Sequence, residues 1–152
     1  MALTPQGVLV NLRVRSEQQA DGLYQSFSAL EVVSAEGRRE IPLTEGIGDI
    51  LTLDVSDDGR FVAYAGSTQE SWIAVLEIRD LQSGAVLFQQ ALDSGPEAQA
   101  IGLSRGIFSM DRLAFTPDGA LVLVGGEGQD ILVLDPEKGR VTGSFGDRLT
   151  SG

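Results

Sequence analysis

The chain contains no cysteine and no histidine. Disulfides, thiolate metal sites, cysteine nucleophiles and histidine-based triads are therefore excluded. Basic residues are scarce: 11 Lys and Arg stand against 22 Asp and Glu, a formal charge of -11. Phosphate backbones and anionic membranes both need clustered cations, so neither nucleic acid nor membrane is an expected partner. The charge fits solubility, or attraction of a basic partner or a cation. No stretch approaches the roughly 18 apolar residues of a membrane span. The opening residues Met1 to Gly7 have no basic segment ahead of an apolar run. No signal peptide is read there, and the expected location is cytoplasmic.

Apolar residues are plentiful, at 42% of 152 residues, enough for a packed core in one domain. The 19 glycines are spread along the chain and read as recurring turns, not as a linker. Three segments align on such a turn: Thr4-Pro5-Gln6-Gly7, Ser56-Asp57-Asp58-Gly59 and Thr116-Pro117-Asp118-Gly119. Each follows a short apolar stretch and precedes another. Pro117 presets φ, Asp118 can bond nearby backbone, and Gly119 supplies positive φ. That chemistry suits a β-hairpin with a bulge.

A second landmark recurs after each of these turns. A strand runs into an acidic, glycine-ended turn at Glu36-Gly37, at Asp80 to Gly84, and at Asp135 to Gly139. A further strand follows at Glu40 to Leu43, Ala85 to Gln90 and Arg140 to Phe145. One unit is thus four strands joined by turns. The expected units are 1–45, 46–92 and 107–149 of a single domain 1–152, with a loop insertion at 93–109. The loop between second and third strands is expected to shrink from unit to unit while the strands persist. No window carries a sustained 3.6-residue apolar stripe. A single short helical turn is conceivable at Pro96 to Ile101.

These landmarks resemble the blades of WD-repeat and YVTN-like β-propeller families. Thr116 to Gly119 is similar to their first hairpin turn, and Val133 to Val141 to their third strand, turn and fourth strand. The Trp-Asp and Gly-His landmarks of true WD repeats are absent. The resemblance implies an all-β chain of three four-stranded antiparallel blades. The rival fold is a β-trefoil, which also has three four-stranded repeats.

Three blades do not close a ring, since propellers usually have 4–8. Either a second copy joins head to tail, or the chain is a fragment of a longer propeller. Asp111-Arg112-Leu113 recurs as Asp147-Arg148-Leu149. Leu3, Asp147, Arg148 and Leu149 are therefore the candidates for completing one shared strand at the ring closure.

Blade topology places the variable loops on one end: Ser16 to Gln25, Gly66 to Ser71, Asp93 to Ser109 and Gly125 to Asp130. Candidate partner-contacting residues there are Glu70, Trp72, Asp93, Glu97, Arg105, Glu127 and Asp130. Asp57-Asp58-Gly59 lacks the alternating acidic ligands of a calcium loop and reads as a turn. Gly125-Gly126-Glu127-Gly128 lacks the Lys-Ser/Thr that a phosphate loop needs. No catalytic residue, metal ligand or cofactor is assigned. The expected function is a non-catalytic scaffold that binds a protein or peptide through this loop end or a central channel. The alternative is a lactonase- or glycosidase-like hydrolase of propeller fold, using carboxylates and a divalent metal.

Overall fold

The computed structural model describes residues 2–5, 7–43, 47–68, 71–91, 110–125 and 131–145. These form twelve strands and no helix. The first sheet holds β1 (Ala2–Leu3), β2 (Leu9–Gln18), β3 (Tyr24–Ser34) and β4 (Gly37–Pro42). The second holds β5 (Ile47–Val55), β6 (Phe61–Thr68), β7 (Ser71–Asp80) and β8 (Val86–Ala91). The third holds β9 (Met110–Phe115), β10 (Leu121–Gly125), β11 (Ile131–Asp135) and β12 (Arg140–Phe145). Each sheet is an antiparallel meander in chain order. A trefoil would pair strands from different repeats in one barrel; here each repeat makes its own sheet.

The second sheet lies between the other two. Strand β6 records this in its sequence: Phe61, Val62, Ala63, Tyr64 and Ala65 are all buried. A strand covered on both faces reads as a continuous apolar run, not an alternating one. Val62 and Tyr64 join Val10, Leu30, Val32 and Ile41 of the first sheet in one core. Phe61, Ala63 and Ala65, with Leu76 and Ile78, join Leu113, Leu121, Leu123 and Leu134 of the third sheet in another. Truncating one such buried leucine to alanine typically costs about 2–5 kcal/mol.

Two loop expectations are corrected. The connections between second and third strands do not shrink at fixed strand length; the strands themselves do. β2 and β3 have 10 and 11 residues, β6 and β7 have 8 and 10, and β10 and β11 have 5 each. Of the expected loop Ser16 to Gln25, residues 16–18 extend β2, and Tyr24 and Gln25 begin β3. Likewise residues 66–68 and Ser71 belong to β6 and β7, and Gly125 to β10. Backbone pairing satisfies N–H and C=O groups that a loop would leave to water. The Pro96 to Ile101 turn lies outside the described residues.

The three repeated turns look alike in sequence but differ by one residue in structure. Leu3 pairs with Leu9 and Phe115 with Leu121, which leaves five residues in each of these turns. Val55 pairs with Val62 instead of Phe61, which leaves six. The hydroxyls follow suit. Thr4 Oγ1 accepts from Val8 N at 3.0 Å and Thr116 Oγ1 from Ala120 N at 3.1 Å, but Ser56 Oγ accepts from Phe61 N at 2.9 Å. One extra residue moves every following side chain to the other face. Val10, Ala63 and Val122 are therefore structural equivalents, and so are Leu9, Val62 and Leu121.

Candidate recognition surface

The meander sends two kinds of connection to opposite ends. One end carries the β1–β2, β5–β6 and β9–β10 turns together with the β3–β4, β7–β8 and β11–β12 turns. These are tight and tied to their own backbone. Asp58 Oδ1 accepts from Ser56 Oγ at 2.6 Å and from Arg60 N at 3.0 Å. Both bonds favour the ionised form, the serine hydroxyl most, and hold the Asp58 carboxyl below its ordinary value. Asp80 is lowered chiefly by the Ser83 backbone N–H, which its Oδ1 accepts at 2.9 Å. Asp118 is lowered chiefly by the Thr116 hydroxyl. Asp57-Asp58-Gly59 is thus a hydrogen-bonded turn, with Gly59 at φ +72. Among the described residues, no group of three or more acidic side chains converges to hold a metal ion.

The other end carries the β2–β3, β6–β7 and β10–β11 connections and the links between sheets. Among the described residues β2–β3 is the longest hairpin, with strands of 10 and 11 residues. Its loop Gln19 to Leu23 is stapled by Gln19 N to Leu23 O at 2.7 Å and Gly22 N to Gln19 O at 2.9 Å. Leu23 N also donates to Asp21 Oδ1 at 3.0 Å. Gly22 sits at φ +84, a conformation glycine adopts without a Cβ penalty. On this ordered tip two large apolar side chains face water: Leu23 is 69% exposed and Tyr24 is 72% exposed. A single exposed apolar residue is ordinary, but an adjacent leucine and tyrosine on a fixed turn form a contact surface. Tyrosine presents rigid, amphipathic area at low entropic cost.

Trp72 has its backbone in β7, where the β6–β7 register shifts between Ser67 and Thr68. Glu70, Asp93, Glu97, Arg105, Glu127 and Asp130 lie outside the described residues, as do Asp147, Arg148 and Leu149. Leu3 lies in β1 and is 70% exposed. Leu23 and Tyr24 were not singled out, because the segment reads as a long loop. The available signal was Asp21-Gly22, a turn dipeptide followed directly by two large apolar residues.

The most concentrated polar chemistry is buried between the first and second sheets. The Tyr64 hydroxyl donates to Glu77 Oε1, and Arg79 Nε donates to the Tyr64 oxygen at 2.8 Å. Arg79 Nη2 lies 3.4 Å from Glu77 Oε1, and Gln89 Nε2 donates to Glu77 Oε2 at 2.5 Å. Arg79 Nη1 donates to the Gly84 carbonyl at 2.8 Å. Burial, reinforced by Glu77, pushes the Tyr64 phenol far above its ordinary value. Tyr64, Glu77 and Arg79 are buried and paired with one another, with the exposed Gln89 at the edge of the network, which suits a structural role in that junction.

No family model matches the chain, and no curated protein matches it. Solved structures do. The β-propeller domain of the Trilobed protease from Pyrococcus furiosus is 15% identical, with a TM-score of 0.58, over 95% of this chain and 41% of that one. Luciferin-regenerating enzyme is 14% identical at a TM-score of 0.51, over 95% of this chain and 44% of that one. Acylaminoacyl peptidase is 13% identical at a TM-score of 0.59, over 95% of this chain and 24% of that one. The chain thus spans less than half the length of each. At these identities the likeness shows the fold: an all-β chain of three four-stranded β-propeller blades, part of a propeller.

Proposed function

We propose that this chain is a non-catalytic binding scaffold whose hairpin end contacts a protein or peptide. The observation that carries this reading is the Leu23–Tyr24 pair, exposed on the stapled tip of the longest hairpin. A rigid sheet that presents apolar and aromatic side chains at one end is how loop-based recognition surfaces are built. The opposite end spends its polar groups on its own turns.

The test is selection of peptides from a random display library on the immobilised protein, with a Leu23→Ser/Tyr24→Ser variant as the control surface. Both side chains are exposed, so the variant keeps the wild-type fold and melting temperature. Enriched peptides are expected to lose at least about tenfold in affinity on the variant, as loss of an anchoring aromatic implies. Peptides that bind both proteins equally, or no enrichment at all, would overturn the proposal.

A further inference from the structure

Each junction between blades joins a leading face to a trailing face. The leading face of blade one carries Val10, Leu30 and Val32, which blade two covers, with Leu12 opposite Leu30 on the same face. The same positions in blade two are Ala63, Ala65, Leu76 and Ile78, and blade three covers them. In blade three they are Val122, Val124, Ile131 and Val133. All four are apolar, and strand alternation turns them away from Leu121, Leu123, Leu132 and Leu134, which face blade two. Ala63, Ala65, Leu76 and Ile78 are fully buried, whereas Val122, Val124, Ile131 and Val133 are only half-buried. Blade three thus continues the series of two established interfaces, with no described residue completing the third.

Blade one presents the complementary half. Its trailing face is set by the pairs Leu3 with Leu9 and Leu9 with Val33. Leu3 is equivalent to Val55 and Phe115, both of which pack into the junctions. Yet Leu3 itself is 70% exposed. On this face, beside the exposed Glu40 of the outer strand β4, lies Glu31, which is equivalent to the fully buried Glu77. It is already neutralised by Arg13 Nη1 at 2.7 Å and Arg38 Nη2 at 2.5 Å. Covering a paired carboxylate leaves no isolated charge behind.

We infer that two copies of this chain join head to tail, the leading face of blade three on the trailing face of blade one of the second copy. Done twice, this closes six blades, within the usual range of propellers. Two copies also approach the chain length of the two propellers matched over 41% and 44% of their residues.

Sedimentation of the wild type, Leu3→Glu and Val133→Glu proteins at micromolar concentration tests this. The Leu3 side chain is exposed, so L3E leaves the fold of the single copy intact. Wild type is expected at twice 16.1 kDa, and each variant at 16.1 kDa, because each damages both junctions. Mixing the two variants restores one undamaged junction and is expected to return the dimer. A monomeric wild type overturns the inference, which would leave the face for a further blade of a longer chain. A dimer that survives L3E but not V133E also overturns it, because the contact would then be blade three on blade three. A dimer that survives both, or a mixture that stays monomeric, overturns it as well. The peptide-binding surface lies at the hairpin end, so its own test stands or falls separately.

Discussion

Tyr64 shows how a polar group can be tolerated inside a blade junction. Its hydroxyl serves Glu77 as donor and Arg79 as acceptor, so the carboxylate and the guanidinium both keep their partners away from water. The sign of the pH dependence follows from the raised phenol. In the unfolded chain Tyr64 ionises near its ordinary value of 10.0, while in the folded chain it resists. Its contribution is therefore complete below that pH and is lost as the pH climbs above it. Urea unfolding from neutral pH to about pH 11 should show stability falling steeply above 10 in the wild type. Tyr64→Phe should be less stable at neutral pH by about 1–3 kcal/mol, because Glu77 and Arg79 each lose a partner. The gap should narrow at alkaline pH, where the wild type alone pays to keep the phenol protonated. A constant gap would mean that Tyr64 titrates alike in both states.

At the scale of elements, the sequence carries the meander well and its register poorly. The glycine-closed turns and the β-prone runs around them locate most strand boundaries in all three blades. The second turn is the exception. Ser56-Asp57-Asp58-Gly59 has the same spacing as Thr116 to Gly119, yet holds one residue more, because Asp58 and Ser56 together bind Arg60 N and Phe61 N. An alignment of glycines cannot register that, and it assigns the faces of β6 in reverse. The hairpin tip was obscured for a related reason: polar residues such as Ser16, Glu17 and Gln18 read as loop, although a two-stranded arm open to solvent accepts them. The wider candidate surface was not legible because its residues are carried on connections without a periodic pattern. The register argument makes a sharp contrast available. Arg60→Ala should cost about 1–2 kcal/mol, since it removes an exposed ion pair with Glu137 and a guanidinium contact 4.7 Å from the Phe61 ring centroid. Inserting a glycine after Arg60 should cost far more, because a turn held at six residues then sets Phe61 opposite Val55, which turns Phe61 toward blade one and Tyr64 toward blade three. Thermal melts of the two variants separate a side-chain effect from a register effect, and equal melting temperatures would refute the assignment of faces.

At the scale of the whole molecule, the two open faces and the net charge oppose one another. The apolar Val122, Val124, Ile131 and Val133 of blade three and the Leu3, Leu9 and Val33 of blade one favour association, while a charge of -11 on each copy resists it. Which effect responds to salt distinguishes the forces involved. The ion pairs nearest the proposed contact, Arg13 and Arg38 with Glu31, lie within one copy and do not bridge two. Screening therefore acts mainly on the repulsion between copies. The Debye length shrinks from ~10 Å at 0.1 M ionic strength to ~3 Å at 1 M, enough to remove most of that repulsion. Apolar burial is not weakened by the same change. The dimer should accordingly tighten as sodium chloride is raised, read as a falling dissociation constant in sedimentation equilibrium. A junction held by charge pairs across the interface would loosen instead, and that result would place the contact on a different surface of blade one from the Leu3–Leu9–Val33 face.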